Sequence, residues 1–169
     1  KNDINNKKGC LYFYNDHNSG GRLLNDFLGN YSSYLMENHE EINENSLLVL
    51  KELQCKANQL VKSGKASSQL LATAFQVDTK YYFKFGNSKE GKLYFDEFYQ
   101  DYYLKAIYMA ERLPKRGDLI FPYLSYAIDN GKINDAVQVC MRKSKGLEAF
   151  CELILASEAL NKKIITDRD

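Results

Sequence analysis

Apolar residues recur every three or four positions along much of the chain, the spacing that lines one face of an α-helix. The first such stretch is 23–35, and a second, 47–61, follows the possible N-cap Ser46. Gly64 lies where the second helix should end, because glycine readily adopts the left-handed backbone found at helix ends. The pattern therefore predicts two amphipathic helices before residue 65.

The middle of the chain has a different pattern. A third helix is predicted to run to about residue 76 from a serine cap, but the next apolar segments, 80–85 and 92–95, are aromatic and flank a short polar stretch. Aromatic residues are enriched in strands, and two such runs around a polar loop are typical of a hairpin. We therefore predict one small β-hairpin around residues 80–95.

Helical spacing returns after this segment. Asp96 is placed to cap a long helix that must end before Pro114, since the ring of proline blocks helix continuation. Beyond it, apolar spacing predicts three more helices at 119–128, 134–143 and 147–162, which are separated by glycines. The second half of the chain is therefore predicted to consist of helices joined by short turns.

Composition supports a helical fold and limits the classes of partner. The 169 residues include only 2 Pro and 10 Gly, too few for the frequent turns of an all-β sandwich. We predict a mainly α, single-domain bundle of antiparallel helices over residues 10–169, after a mobile polar start at 1–9. The net charge of +1 makes nucleic acid an unlikely partner. No apolar run approaches the ~20 residues of a membrane span.

The four cysteines form an even set without the spacing of a zinc site. Cys140 and Cys151 lie almost symmetrically about the turn 144–146, and equal distances from a turn bring residues together on antiparallel helices. We predict a disulfide between them, which leaves Cys10 and Cys55 as the other pair by elimination; buried thiols are the alternative. A disulfide favours a periplasmic or secreted location over a cytoplasmic one. The chain begins without Met, so removal of a signal peptide stays open.

Residues 86–97 resemble the calcium loop of the EF-hand family. Gly91, Leu93 and Glu97 match its sixth, eighth and twelfth positions, where the family has a sharp turn, an apolar residue and a bidentate carboxylate. The resemblance implies a calcium site, but Gly86 occupies the first position, where the family has a carboxylate ligand. We therefore predict no metal and no cofactor, and a degenerate calcium-loop protein is an alternative.

Residues 129–136 are similar to the turn of tetratricopeptide-like and pentatricopeptide-like helical hairpins. In those hairpins a glycine ends the first helix and a small residue lets the second pack closely, roles that Gly131 and Ala136 would have here. No fixed repeat period precedes this segment. The resemblance therefore implies antiparallel helix packing, without a repeat array.

Residues suited to catalysis are few. His17 and His39 are the only histidines, and no Ser or Cys stands in a known nucleophile motif. Neighbouring carboxylates such as Asp96 and Glu97 point about 100° apart on a helix and seldom share a site. We therefore predict no catalytic residue. A small hydrolase or transferase with an unrecognised site around Asp16 and His17 is the alternative.

Two loops bracket the long helix that Asp96 is predicted to cap, and they carry aromatic and basic residues that a core does not require. Tyr and Arg often anchor protein interfaces. We predict a binding face near these loops, with anchors at Tyr94, Tyr99, Arg112 and Arg116. The alternative is that the two tyrosines belong to the core and the two arginines only aid solubility.

A second basic group, Arg142, Lys143 and Lys145, lies in the turn before the last predicted helix. If this turn faces the same end of the bundle as residues 112–116, the two groups form an anion-binding surface; solvated loops are the alternative. Together these features predict a non-enzymatic protein-binding or inhibitor-type protein that is exported and takes another protein as its partner. They leave its oligomeric state open.

Overall fold

The computed structural model describes residues 21–38, 44–142 and 144–166, and within them the chain forms seven helices and no strand. The prediction of a mainly α fold is therefore confirmed. The helices are α1 (Arg22–Glu37), α2 (Glu44–Lys62), α3 (Ser68–Phe85), α4 (Lys89–Arg112), α5 (Gly117–Asp129), α6 (Ile133–Cys140) and α7 (Glu148–Thr166).

The chain divides into two compact units, Lys1–Ala74 and Phe75–Asp169, which we call unit 1 and unit 2. Unit 1 contains α1, α2 and the start of α3, and unit 2 contains the rest of α3 and α4 to α7. The single-domain prediction for residues 10–169 stays a prediction.

In unit 1, α1 packs against α2. It begins after Gly21, whose φ of 82° lies in the left-handed region and whose Cα approaches Leu70 so closely that a side chain there would collide with it. Polar side chains lie among the apolar ones in this core. Gln54 is fully buried and donates from Nε2 to the carbonyl oxygen of Ala74 at 2.8 Å, and Asn58, about one helical turn later, is also buried. Unit 1 therefore has a core in which amides pack with aliphatic residues.

The predicted β-hairpin at 80–95 is wrong. The helix α3 continues to Phe85, and α4 begins at Lys89 with the hydroxyl of Ser88 accepting from the backbone N–H of Gly91 at 3.0 Å. The aromatic residues occupy helical positions because their rings pack between the two helices, as Tyr81 does against Tyr94 with ring centroids 4.3 Å apart. Side-chain packing therefore outweighs the strand propensity of these residues.

The same segment corrects the geometry that the EF-hand resemblance implies. From Lys89 onwards it is part of α4, so Glu97 lies two helical turns along a helix instead of closing a loop around an ion. Gly91 has a different role from the sharp turn of that family. A methyl group on it would collide with the carbonyl oxygen of Phe85, so glycine allows α3 and α4 to meet closely.

The core of unit 2 is aromatic. Ring contacts join α3 to α4 in opposite chain order, since Phe75 meets Tyr102 at 5.2 Å and Tyr81 meets Tyr94 at 4.3 Å, which makes this helix pair antiparallel. The next pair, α4 and α5, is joined in the same way, since Tyr102 meets Tyr123 and Phe95 meets Tyr126, each at 5.0 Å. The predicted antiparallel packing is therefore present between these helices.

The last three helices complete unit 2 through short turns. Gly131, with φ of 68°, follows α5, and the small side chain of Ala136 in α6 is fully buried, as the hairpin resemblance implies. Cys140 and Cys151 lie at disulfide distance with their Cα atoms 5.2 Å apart, between the end of α6 and the start of α7. Cys55 is half-buried in α2, and its predicted partner Cys10 lies outside the described residues.

In the part of the chain that the structure describes, no helix combines the length and the apolar character needed to cross a bilayer. Residues 1–9, for which we predicted a mobile start, also lie outside the described part.

Candidate functional site

The structure separates the four predicted anchors into two kinds. Tyr94 and Tyr99 are buried in unit 2, with 1% and 7% of their surface exposed, whereas Arg112 and Arg116 are exposed at the end of α4 and in the loop after it. The four side chains therefore do not form one surface. The tyrosines take part in buried hydrogen bonds, and the arginines face solvent.

Tyr94 belongs to a buried polar centre. Its hydroxyl donates to Oδ1 of Asp78 at 2.6 Å, and Nζ of Lys105 lies 2.6 Å from the other carboxylate oxygen of Asp78. Asp78 and Lys105 are 0% and 1% exposed. Such a pair has lost its hydration, so each charge depends on the other and on the hydrogen bond from Tyr94.

Tyr99 belongs to a second network, between α4, α5 and α6. Its hydroxyl donates to Asp135 and lies 3.3 Å from the hydroxyl of Tyr123, while Nζ of Lys132 stands 5.1 Å above its ring. Burial and the hydrogen bond to Asp135 raise the pKa of Tyr99, and burial raises the pKa of Tyr123. Both phenols therefore remain protonated donors at neutral pH.

The network around Asp78 is not accessible to a ligand in solvent, whereas the one around Tyr99 is partly exposed at Asp135 and Lys132. Asp78, Tyr94 and Lys105 are closed off by aromatic rings, such as Phe98, which stacks on Tyr94 with ring centroids 4.8 Å apart. A carboxylate and an amine so buried hold α3 and α4 in one register. We assign them a structural role.

The two basic loops do meet, as the anion-binding hypothesis required. The backbone N–H of Lys145 donates to the carbonyl oxygen of Pro114 at 2.7 Å, which ties the turn before α7 to the loop before α5. Gly117, at the start of α5, lies against the carbonyl oxygen of Lys145 so closely that a Cβ would not fit. We call the surface that carries the basic residues of these loops the basic end; its members are Arg112, Lys115, Arg116, Arg142 and Lys145.

Charge at the basic end is only partly neutralised. Arg116 forms a bidentate pair with Asp118 at 3.0 and 3.1 Å, and Arg142 reaches Glu111 at 3.5 Å. Lys115 and Lys145 are exposed and form no ion pair with any residue that the structure describes. The surface therefore offers cationic side chains to an anionic partner. Lys143, the remaining member of the predicted group, is not among the described residues.

Carboxylates already occupy the backbone donors at this end. The side chain of Glu148 accepts from the N–H of Gly146 at 2.8 Å, and the hydrogen bond from Arg116 lowers the pKa of Asp118, whose carboxylate also accepts from the backbone at the start of α5. A partner would therefore meet side-chain cations here, because nearby carboxylates already accept from these backbone N–H groups.

The buried Asp78–Lys105 pair is the main feature that sequence reasoning missed. Asp78 lies within the apolar face of α3, between Val77 and Tyr81, and Lys105 lies within that of α4, next to Ala106. A single acidic residue on one apolar helix face and a single basic residue on another is the sequence pattern that predicts such a pair.

The residues of the alternative enzyme hypothesis, Asp16 and His17, lie outside the described part of the chain, as does His39. Among the residues that are described, no group of three or more His, Cys, Asp or Glu side chains is placed to hold a metal ion. Comparison of the chain with protein-family models, with curated proteins and with solved structures found no match.

Proposed function

We propose that the protein acts by binding another protein, without catalysing a reaction, and that an acidic segment of the partner contacts the basic end. The observation that carries this proposal is the junction of the two basic loops at Pro114 and Lys145. It gathers cations from separate parts of the chain onto one surface, although the whole chain has a net charge of only +1.

The proposal keeps Arg112 and Arg116 as contact residues and replaces the buried Tyr94 and Tyr99 with Lys115 and Lys145. Arginine binds carboxylates in a bidentate manner, and exposed lysines add attraction that depends on salt. The setting we propose is an exported protein, and the Cys140–Cys151 pair at disulfide distance supports this.

The test compares two triple variants of the full chain. Lys115→Gln, Arg116→Gln and Lys145→Gln remove three cations from the basic end. The control variant, Lys84→Gln, Lys89→Gln and Lys92→Gln, removes three exposed lysines near the other end of α4, about 36 Å away at 1.5 Å per residue. Binding is measured by calorimetry with synthetic Glu-rich peptides and with any protein that co-purifies.

We expect the basic-end variant to lose affinity at least about tenfold and the control variant to change little. Raising the salt concentration should weaken binding by the wild-type chain, because the Debye length falls from about 10 Å at 0.1 M to about 3 Å at 1 M. Equal affinities for the two variants would contradict the proposal.

A further inference from the structure

Helix α1 buries Leu28 and Leu35 but leaves other apolar side chains facing outward. Leu23, Phe27 and Tyr34 are 50%, 60% and 47% exposed, while the side chains of Asn25 and Ser32 are buried. With about 100° per residue, the three apolar residues and Asn30 lie in one stripe along the helix. We call Leu23, Phe27, Asn30 and Tyr34 the outer stripe.

This arrangement is costly for an isolated molecule. Three large apolar side chains are about half exposed, and the buried Oδ1 of Asn25 has no hydrogen-bond partner among the described residues. Residues spaced at i, i+4, i+7 and i+11 are those that a helix uses to pack on a partner. The outer stripe is therefore a surface for association.

The charges beside the outer stripe indicate what covers it. Arg22 stands at the first position of α1 and Glu37 at the last, both are exposed, and the helical period puts them on the same side of the stripe. A second α1 running in the opposite direction brings Glu37 to Arg22 at both ends. A parallel copy would instead leave both Arg22 residues at one end and both Glu37 residues at the other, with no opposite charge to pair with.

The apolar positions match in nearly the same alignment, in which Arg22 and Glu37 are offset by two residues, or about 3 Å. An antiparallel copy sets Leu23 opposite Tyr34 and Phe27 opposite Asn30, and a two-fold axis repeats each contact. This alignment thus pairs opposite charges and places each larger side chain opposite a smaller one. We propose that two copies of this chain associate through the outer stripes of their α1 helices, packed antiparallel, with Arg22 of each copy paired with Glu37 of the other.

The size of the surface sets the expected strength. A helix of 16 residues is about 24 Å long, and one pair of such helices buries less than a standard stable interface. We expect a dimer with a dissociation constant in the micromolar range, which a concentration series will reveal. The proposal is independent of the basic end, which belongs to unit 2.

The experiment is sedimentation velocity of the full chain over a range of concentrations. Phe27→Glu should give a monomer at all concentrations, because it places two carboxylates in the contact. Phe83→Glu is the matched control, since Phe83 is 67% exposed on α3 in unit 2 and should leave the dimer intact. Circular dichroism checks that both variants remain helical.

Charge exchange tests the direction of the helices. Arg22→Glu and Glu37→Arg should each weaken the dimer at least about tenfold, because each sets like charges together at both ends. The double variant, and an equimolar mixture of the two single variants, should recover it. A wild-type chain that stays monomeric throughout, or a dimer that Phe27→Glu leaves intact, would overturn the proposal. Single variants without recovery would overturn the antiparallel alignment.

Discussion

Helices α1 and α4 have similar patterns in sequence, but α1 buries only part of its apolar arc, with Leu28 and Leu35 inside and Leu23 and Phe27 outside. In α4 the aromatic residues Tyr94, Phe95 and Tyr102 face the core of unit 2. In α1 the apolar arc is turned by about a quarter of the helix circumference, so Phe27 faces solvent and Asn25 is buried. The comparison teaches that apolar spacing predicts a helix well and predicts which face is buried much less well.

The partners of each helix explain the difference. Unit 2 offers rings from α3 and α5, and the rings of α4 pack against them. The core of unit 1 contains the buried amides Gln54 and Asn58, and the inner side of α1 combines Leu28 and Leu35 with Asn25 and Ser32. The buried side of α1 is therefore only partly apolar, and the remaining apolar residues of this helix stay exposed.

Asp78→Ala tests the unit 2 core most severely. It leaves the buried ammonium of Lys105 without its counter-charge, and we expect the free energy of unfolding in urea to fall by about 3–5 kcal/mol. The double variant Asp78→Leu and Lys105→Met removes both charges and should recover most of that loss. If the single variant unfolds at the wild-type urea concentration, the pair does not hold this core.

Alanine substitution of two phenylalanines compares the helices directly. Phe95→Ala removes a buried ring that contacts Tyr126 at 5.0 Å, and we expect a loss of about 3 kcal/mol or more. Phe27→Ala removes an exposed ring, and at low protein concentration we expect a change within about 0.5 kcal/mol. Similar losses in urea unfolding would show that α1 buries its aromatic face after all.

Part of this contrast was predictable from the sequence. Apolar spacing predicted most of the helices, and Gly64 and Gly131 correctly marked helix ends. The predicted caps Ser46 and Asp96 were wrong, because both lie inside their helices, α2 and α4. The extension of α3 beyond residue 76 was not predictable in the same way, because the rings of Tyr81 and Phe85 suit a strand until their packing partners are known. Local preference and tertiary packing disagree at this point, and packing decides.

The candidate site divides similarly. The basic residues of the two loops were visible in the sequence. The prediction that both loops lie at the same end of the bundle required only antiparallel helices. The burial of Tyr94 and Tyr99 was open, because tyrosine suits both cores and surfaces. The orientation of α1 was hidden, since it depends on which residues of unit 1 are already buried.

The disulfide that joins α6 to α7 should have the next largest effect on stability. We expect peptide mapping of the non-reduced, alkylated protein to find Cys140 joined to Cys151, and Cys140→Ser with Cys151→Ser to lower stability by about 2–3 kcal/mol, since the closed loop is short. Two alkylated thiols in protein from an oxidising compartment would contradict this prediction.

Alkaline pH should act on the tyrosine core of unit 2. Burial raises the pKa of Tyr126 to about 12, against about 10 for an unfolded chain, and burial also raises the pKa of Tyr102. Above pH ~10 the unfolded chain releases these protons first, so stability is full below that pH and declines as pH rises through 12. Ultraviolet absorbance of phenolate and far-ultraviolet circular dichroism should change together; phenolate that forms while the helices persist would argue against buried phenols.

The smallest effect is expected at the surface. Arg116→Ala removes the hydrogen bond that lowers the pKa of Asp118, so that pKa should rise towards its ordinary value, as measured by carbon NMR of the carboxyl group. Urea unfolding should be unchanged, because exposed ion pairs contribute little to stability. A lower urea midpoint would show that this pair supports the fold as the buried Asp78–Lys105 pair does.

The close joint between α3 and α4 also bears on the order in which the chain folds. Only residues 86–88 separate the two helices, and Gly91 lets them meet, so Tyr81 and Tyr94 come into contact although they are only thirteen positions apart. Closing so short a loop costs little chain entropy. Contacts of low sequence separation form fast, and the α3–α4 hairpin is therefore suited to be the nucleus on which the later helices of unit 2 condense.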